Sequence, residues 1–227
     1  MPFSTLLFDL DGTLTDPAEG ITHSIQYALK KQHIIVSDLT TLYPFIGPPL
    51  VESFQRYYHF SHEQALQALT DYREYFSEKG IYENRLYPGI PEMLARLKNA
   101  GKTLLVASSK PEPFVRRILA YFHLESYFTV IAGSTMAETR QKKEEGIAYA
   151  LEKCGIFSPV GAAMVGDRGT DMSGAKKLGI TAIGVLFGYG SREELLQGGA
   201  DYLAADTNEL ETIFMQEKGE IPCIPFN

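Results

Sequence analysis

Two aspartates, Asp9 and Asp11, follow directly on an apolar run in LLFDLDGTLTD, residues 6–16. Unpaired carboxylates beside a core are costly, so the pair implies either a partner of opposite charge or a chemical task. A second acidic cluster, GDRGTD at 166–171, also follows an apolar run and holds Asp167 and Asp171. A third run, KTLLVAS at 102–108, ends in the hydroxyl of Ser108, with Ser109 and Lys110 next. If these runs are neighbouring strands, Asp9, Asp11, Ser108 and Asp167 converge on one crevice with Asp171 close behind. Carboxylates packed in that way repel one another unless a cation sits among them. Mg²⁺ suits such a site, because it takes oxygen ligands in octahedral geometry and keeps several waters.

The elements that must position these groups are legible as alternation. Apolar runs at 5–10, 102–108, 127–133, 161–167, 181–188 and 200–205 read as strands buried on both faces, which show continuous apolar stretches. Helical patterns lie between them at 91–101, 111–122, 142–155, 171–180 and 191–199. In the third of these, Ile147, Ala150, Leu151 and Cys154 share one face. Strand–helix alternation predicts an open α/β parallel sheet, and ligands of such sheets bind beyond the carboxyl ends of the strands. Residues 17 to about 85 break the rhythm. They carry helical patterns at 19–32 and 62–80 around a turn-rich FIGPPL, with no convincing strand. The expected organisation is therefore an α/β core from 1–16 and 86–216, a small all-helical domain at 17–85 over the strand ends, and a tail at 217–227. Asp16 then belongs to the hinge into the helical insert.

Composition limits the function classes. The chain has 227 residues, 44% hydrophobic and 22% charged, the balance of an ordinary globular protein. A formal charge of −7 argues against nucleic acid as a partner, which calls for a basic patch or stripe. No apolar run approaches the roughly 20 residues of a bilayer span, and MPFSTLLFDLDG lacks the pattern of a signal peptide. The two cysteines, Cys154 and Cys223, have no metal-type spacing, which leads to the expectation of a reducing, cytoplasmic setting. The five histidines show no pairing at ligand spacing.

Taken singly, each candidate has a plain structural reading: Asp9 or Asp11 as a turn former, Ser108 as a helix-start residue, Asp171 as the cap of helix 171–179. Together, and in this order, DLDGT at 9–13, Ser108, a helix-start lysine and GDRGTD at 166–171 resemble the haloacid dehalogenase-like phosphatases. The helical insert resembles the cap of the phosphoglycolate phosphatase-like branch, and the likeness spans residues 5 to about 215. The resemblance implies a Rossmann-like core with a helical cap and a Mg²⁺-dependent phosphomonoesterase. It makes Asp9 the nucleophile that forms an aspartyl-phosphate and Asp11 the group that protonates the leaving alcohol, then deprotonates water. By the same resemblance, Ser108 and a lysine would hold the phosphoryl oxygens, with Ser109 beside them and Gly12 and Thr13 offering backbone N–H groups. Asp9, Asp167 and Asp171 hold Mg²⁺ together with the Asp11 position, whose backbone carbonyl is a ligand in the family.

Two positions depart from the branch's pattern. The lysine stretch is RQKKEEG, without the usual proline, and Lys143 is preferred to Lys142 because Lys-Glu followed by Ile147 and Leu151 resembles a proline-less variant of related phosphatases. Ser108-Ser109 replaces the usual Thr-Asn but keeps the hydroxyl. Lys110 reads equally as a phosphate contact or as a helix-start cation. A dehalogenase is disfavoured because it normally lacks the second acid. A phosphomutase of the β-phosphoglucomutase type and a non-catalytic metabolite-binding module are the alternatives, although a module free to drift would have lost one of these residues. The expected substrate is a small phosphorylated metabolite, phosphoglycolate or a nucleoside monophosphate.

Overall fold

A computed structural model describes residues 3–215 apart from Glu138, Gln141 and Pro159. The tail expected at 217–227, with Cys223, lies outside the described residues. In chain order the elements are β1 (Thr5–Phe8), β2 (Thr15–Asp16), α1 (Ala18–Lys31), α2 (Leu50–Tyr58), α3 (His62–Tyr75), β3 (Arg85–Leu86), α4 (Ile90–Asn99) and β4 (Thr103–Pro111). They continue with α5 (Glu112–Tyr121), β5 (Val130–Ser134), α6 (Lys143–Lys153), β6 (Ala162–Gly166), α7 (Gly169–Lys177), β7 (Thr181–Val185), α8 (Arg192–Gln197), β8 (Tyr202–Ala204) and α9 (Thr207–Met215). The chain divides into two compact units, one of residues 1–14 with 86–227 and one of Thr15–Arg85.

The larger unit is built on a six-stranded sheet in the order β5-β4-β1-β6-β7-β8, with every pairing parallel. All four residues of β1 are buried, as a central strand covered on both faces requires. Leu7 on one side joins Leu105, Met164, Ile147 and Ala150 of α6, and Met172 and Ala175 of α7 in one apolar cluster. Phe8, on the opposite side, meets Phe128 and Phe214 edge-on at centroid distances of 6.3 and 5.9 Å. The strand order reverses at β1: the chain first adds β4 and β5 on one side, then β6, β7 and β8 on the other. That switch point is where an open α/β sheet leaves a crevice beyond its carboxyl ends. The outer edge strand β5 is guarded, since Arg140 donates from Nε (2.9 Å) and Nη2 (2.6 Å) to the Gly133 carbonyl.

The smaller unit is helical, with the two-residue β2 and β3 forming a short ribbon where the chain enters and leaves it. Asp16 in β2 pairs with Arg85 in β3 at 3.2 Å and accepts the Ala18 N–H, so it fixes the start of α1. Two features differ from the periodicity reading. Residues 50–58 form α2, whose buried Phe54 packs on Phe45 at 5.3 Å; the aromatic pattern there is too short to announce a helix. The helix expected over 62–80 is α-helical only to Tyr75 and turns wider over Phe76–Gly80, with the Ile81 N–H reaching the Phe76 carbonyl at 2.8 Å. The wide turn brings Gly80 against α1, where a Cβ on Gly20 would lie 1.9 Å from the Gly80 carbonyl oxygen. Among the described residues, no helix is long and apolar enough to cross a membrane.

Phe8→Ala should destabilise the protein by about 3–5 kcal/mol in urea denaturation, because it empties the aromatic contact under β1. Phe157→Ala, at a site 86% exposed, should change stability by no more than about 0.5 kcal/mol. Equal effects would contradict the packing described here.

Candidate active site

The sheet hands Asp9 to the crevice directly. Its backbone N–H donates to the Val165 carbonyl at 2.9 Å, extending the β1–β6 ladder, and its Oδ1 accepts the Leu10 N–H at 2.8 Å. The chain then turns sharply, with the Leu10 carbonyl accepting N–H groups from Thr13 (3.2 Å) and Leu14 (2.9 Å). The Thr13 amide, expected to face phosphate, is thus engaged inside the turn. Its buried hydroxyl has no hydrogen-bonding partner among the described residues. Gly12 sits at φ +80°, and a Cβ there would lie 2.1 Å from Asp167 Oδ2, so the turn needs glycine for both conformation and space.

Asp9, Asp167 and Asp171 each bring a carboxylate oxygen within 4.8 Å of the others, and all three are buried. Lys143, from the first turn of α6, is buried among them. Its Nζ lies 3.0 Å from Asp9 Oδ2 and 2.7 Å from Asp171 Oδ1, and it donates to the Ala107 carbonyl at 3.2 Å. Lys142 stands exposed at the helix boundary. One ammonium against three carboxylates leaves the cluster short of positive charge. Burial pushes the Asp167 carboxyl well above its usual range, and the charges of Asp171 and Asp9 push it further. Burial also raises Asp171, to about 6, against the pull of Lys143. For Lys143, burial works to lower the ammonium's affinity for its proton, but Asp171 and Asp9 outweigh it and hold the group above its ordinary value. Asp167 Oδ1 is buried without a hydrogen-bonding partner among the described residues. Oxygen-only donors, excess negative charge and an unsatisfied carboxylate oxygen fit a hard divalent cation such as Mg²⁺.

The Asp11 carboxylate is not in that group. Its Oδ2 pairs with Lys110 Nζ at 2.8 Å, and both side chains are nearly buried. Burial raises the Asp11 carboxyl, Lys110 opposes the rise, and Asp9 adds to it. Ser108 is buried within β4, two residues past its last pairing with β1, and its Oγ receives the Lys110 N–H at 3.4 Å. Ser109 is half-buried beside it. The Lys110–Asp11 pair escapes the sequence reading, which left Lys110 between a phosphate contact and a helix-start cation.

Asp167 and Asp171 are held by contacts that no motif announced. The Tyr189 N–H donates to Asp167 Oδ2 at 2.8 Å, and a Cβ on Gly188 would fall 2.3 Å from Asp167 Cβ. The bare LFGYG loop after β7 therefore forms a wall of the acidic cluster. Asp171 does not cap its helix from the first position: α7 begins at Gly169, and Asp171 sits in its first turn with Oδ2 accepting the Arg168 N–H at 3.0 Å. That reach-back leaves Oδ1 for Lys143.

Comparison with known proteins follows the same lines. Residues 6–185 match the family described as haloacid dehalogenase-like hydrolase. The 5'-nucleotidase of Pseudomonas aeruginosa is 44% identical over 211 residues, 93% of this chain and 95% of that protein. The tyrosine-protein kinase PtkA of Mycobacterium tuberculosis is 40% identical over 82% of this chain but only 62% of its own length. A crystal structure of a predicted phosphatase from Clostridium acetobutylicum superposes with a TM-score of 0.90 at 46% identity, covering 93% of this chain and 98% of that one.

Lys143→Met should cost about 3–5 kcal/mol in urea denaturation without divalent cation, because it strands buried carboxylates. A loss below about 1 kcal/mol would mean that the cluster does not depend on the ammonium.

Proposed function

Because this chain belongs to the haloacid dehalogenase-like hydrolase family, we propose that it is a Mg²⁺-dependent phosphatase that cleaves small phosphomonoesters through an aspartyl-phosphate on Asp9. The observation that carries the reading is the pairing of two strand-end aspartates with two different lysines, Asp9 with Lys143 and Asp11 with Lys110. One carboxylate is thereby fixed for attack within the acidic cluster, while the other stands outside it for proton transfer.

Asp9, held by Lys143, attacks phosphorus through a carboxylate oxygen. Lys143 holds the Asp9 rotamer and takes up part of the charge spreading over the phosphoryl oxygens. The Ser108 hydroxyl, the Gly12 N–H and the Ser109 position bind those oxygens, which orients the phosphorus in line with Asp9. Asp11 gives its proton to the departing alkoxide and then accepts one from the water that releases phosphate from Asp9. Asp9, Asp167 and Asp171 would hold Mg²⁺ with the Asp11 carbonyl, and the ion would supply positive charge opposite the transferring group.

Nucleoside monophosphates are the preferred substrate class, supported by the nucleotidase that matches nearly end to end; phosphoglycolate follows from the branch resemblance. Hydrolysis is preferred to kinase activity because the nucleotidase is more similar, 44% identical over 95% of its length, against 40% over 62% for PtkA.

Purified protein with Mg²⁺ should release phosphate from members of a panel of nucleoside monophosphates, phosphoglycolate and sugar phosphates. EDTA should abolish the activity, and Asp9→Asn should lower kcat by about 10³-fold or more. No turnover across the panel, or label retained on a bisphosphate product, would overturn the hydrolase reading.

A further inference from the structure

The Lys110–Asp11 pair rests on an irregularity in the sheet. Between the partners Ala107–Ala132 and Pro111–Ser134, β4 uses four residue steps where β5 uses two. The surplus bulges at Ser108, Ser109 and Lys110, the segment that borders the crevice. Bulges re-aim side chains, and they concentrate beside functional sites. This one is packed against bare backbone: a Cβ on Gly133 would lie 2.5 Å from the Lys110 carbonyl oxygen and 2.6 Å from Glu112 Cα. Gly133 therefore leaves room for the bulge, and the bulge delivers the Lys110 side chain to Asp11.

The two oxygens of Asp11 have different surroundings. Oδ2 lies 2.8 Å from Lys110 Nζ. Oδ1 is buried and has no hydrogen-bonding partner among the described residues. A carboxylate held by one oxygen, with the other left over, has its plane and its reactive oxygen chosen in advance.

We propose that Lys110 is a positioning residue for the reaction: by clamping Asp11 Oδ2 it assigns proton transfer to Oδ1 and aims that oxygen at the leaving group. The inference rests on the phosphatase reading and adds a specificity to it. In the first step the P–O bond to the alcohol breaks as the Asp9 oxygen bonds to phosphorus, and the Asp11 proton goes to the alkoxide oxygen. In the second step a water oxygen bonds to phosphorus, its proton goes to Asp11, and the Asp9–phosphorus bond breaks to give inorganic phosphate. Misplacing Asp11 matters most in the first step, when the leaving group is a poor one. An alkoxide needs the proton, whereas nitrophenolate departs without it.

The test compares kcat/KM for a nucleoside 5'-monophosphate with that for p-nitrophenyl phosphate. This parameter reports the steps up to the first irreversible one, here the loss of the alcohol. In Lys110→Met the ratio of alkyl to aryl kcat/KM should fall about 10²-fold, and in Lys110→Arg most of the ratio should return. Because both substrates are assayed on the same preparation, the ratio is independent of the fraction of protein that is folded. An unchanged ratio in Lys110→Met would overturn the inference while leaving the phosphatase reading intact. Absence of turnover in the wild type would instead remove the phosphatase reading itself.

Discussion

A single buried ammonium organises the crevice. Lys143 reaches from the start of α6 to Asp9 on one side and Asp171 on the other, with the Ala107 carbonyl as a third point. The end of strand β1, the first turn of α7 and strand β4 are thus tied to the same nitrogen. A buried ion pair is a poor source of net stability, because desolvating both charges offsets most of their attraction, but removing one partner is expensive. The arrangement is therefore better understood as a way of fixing geometry. Its cost is visible in the carboxyls of Asp167 and Asp171, both held above their ordinary range by burial and by repulsion from Asp9.

That constraint explains how two aspartates two residues apart come to have different surroundings. Asp9 extends the β1–β6 ladder and faces Lys143, whereas Asp11 lies past the first bend of the turn and faces Lys110. Each carboxylate has its own cation, one from a helix N-terminus and one from a bulged strand. Gly12, between the turn and Asp167, lets the two clusters approach without a side chain intervening.

Much of this is legible in the residues alone. Strands buried on both faces announce themselves as continuous apolar runs, and acids placed directly after such runs stand out because a core would not tolerate them unpaired. Lys143 could be preferred to Lys142 because Lys-Glu followed by Ile147 and Leu151 resembles a proline-less form of the motif, and the structure buries Lys143 while leaving Lys142 exposed. What escaped depends on contacts distant in sequence. Lys110 looks like a helix-start cation until the bulge of β4 against Gly133 is known. Gly188 and Tyr189 act through bare backbone, which leaves no pattern of side-chain types. The widened turn at Phe76–Gly80 is set by the close approach of Gly20, sixty residues earlier. The engaged amide of Thr13 is likewise a property of the turn's hydrogen bonding and carries no trace in residue type.

The central claim is that Asp9, held by Lys143, is the group that takes the phosphoryl. The most direct measurement is mass spectrometry of enzyme acid-quenched during turnover, reading the peptide that carries residues 5–16. The account predicts one phosphoryl group on Asp9, present only with substrate and removed by hydroxylamine, as an acyl phosphate requires. Turnover with no phosphorylated peptide, or with the phosphoryl on another residue, would contradict it.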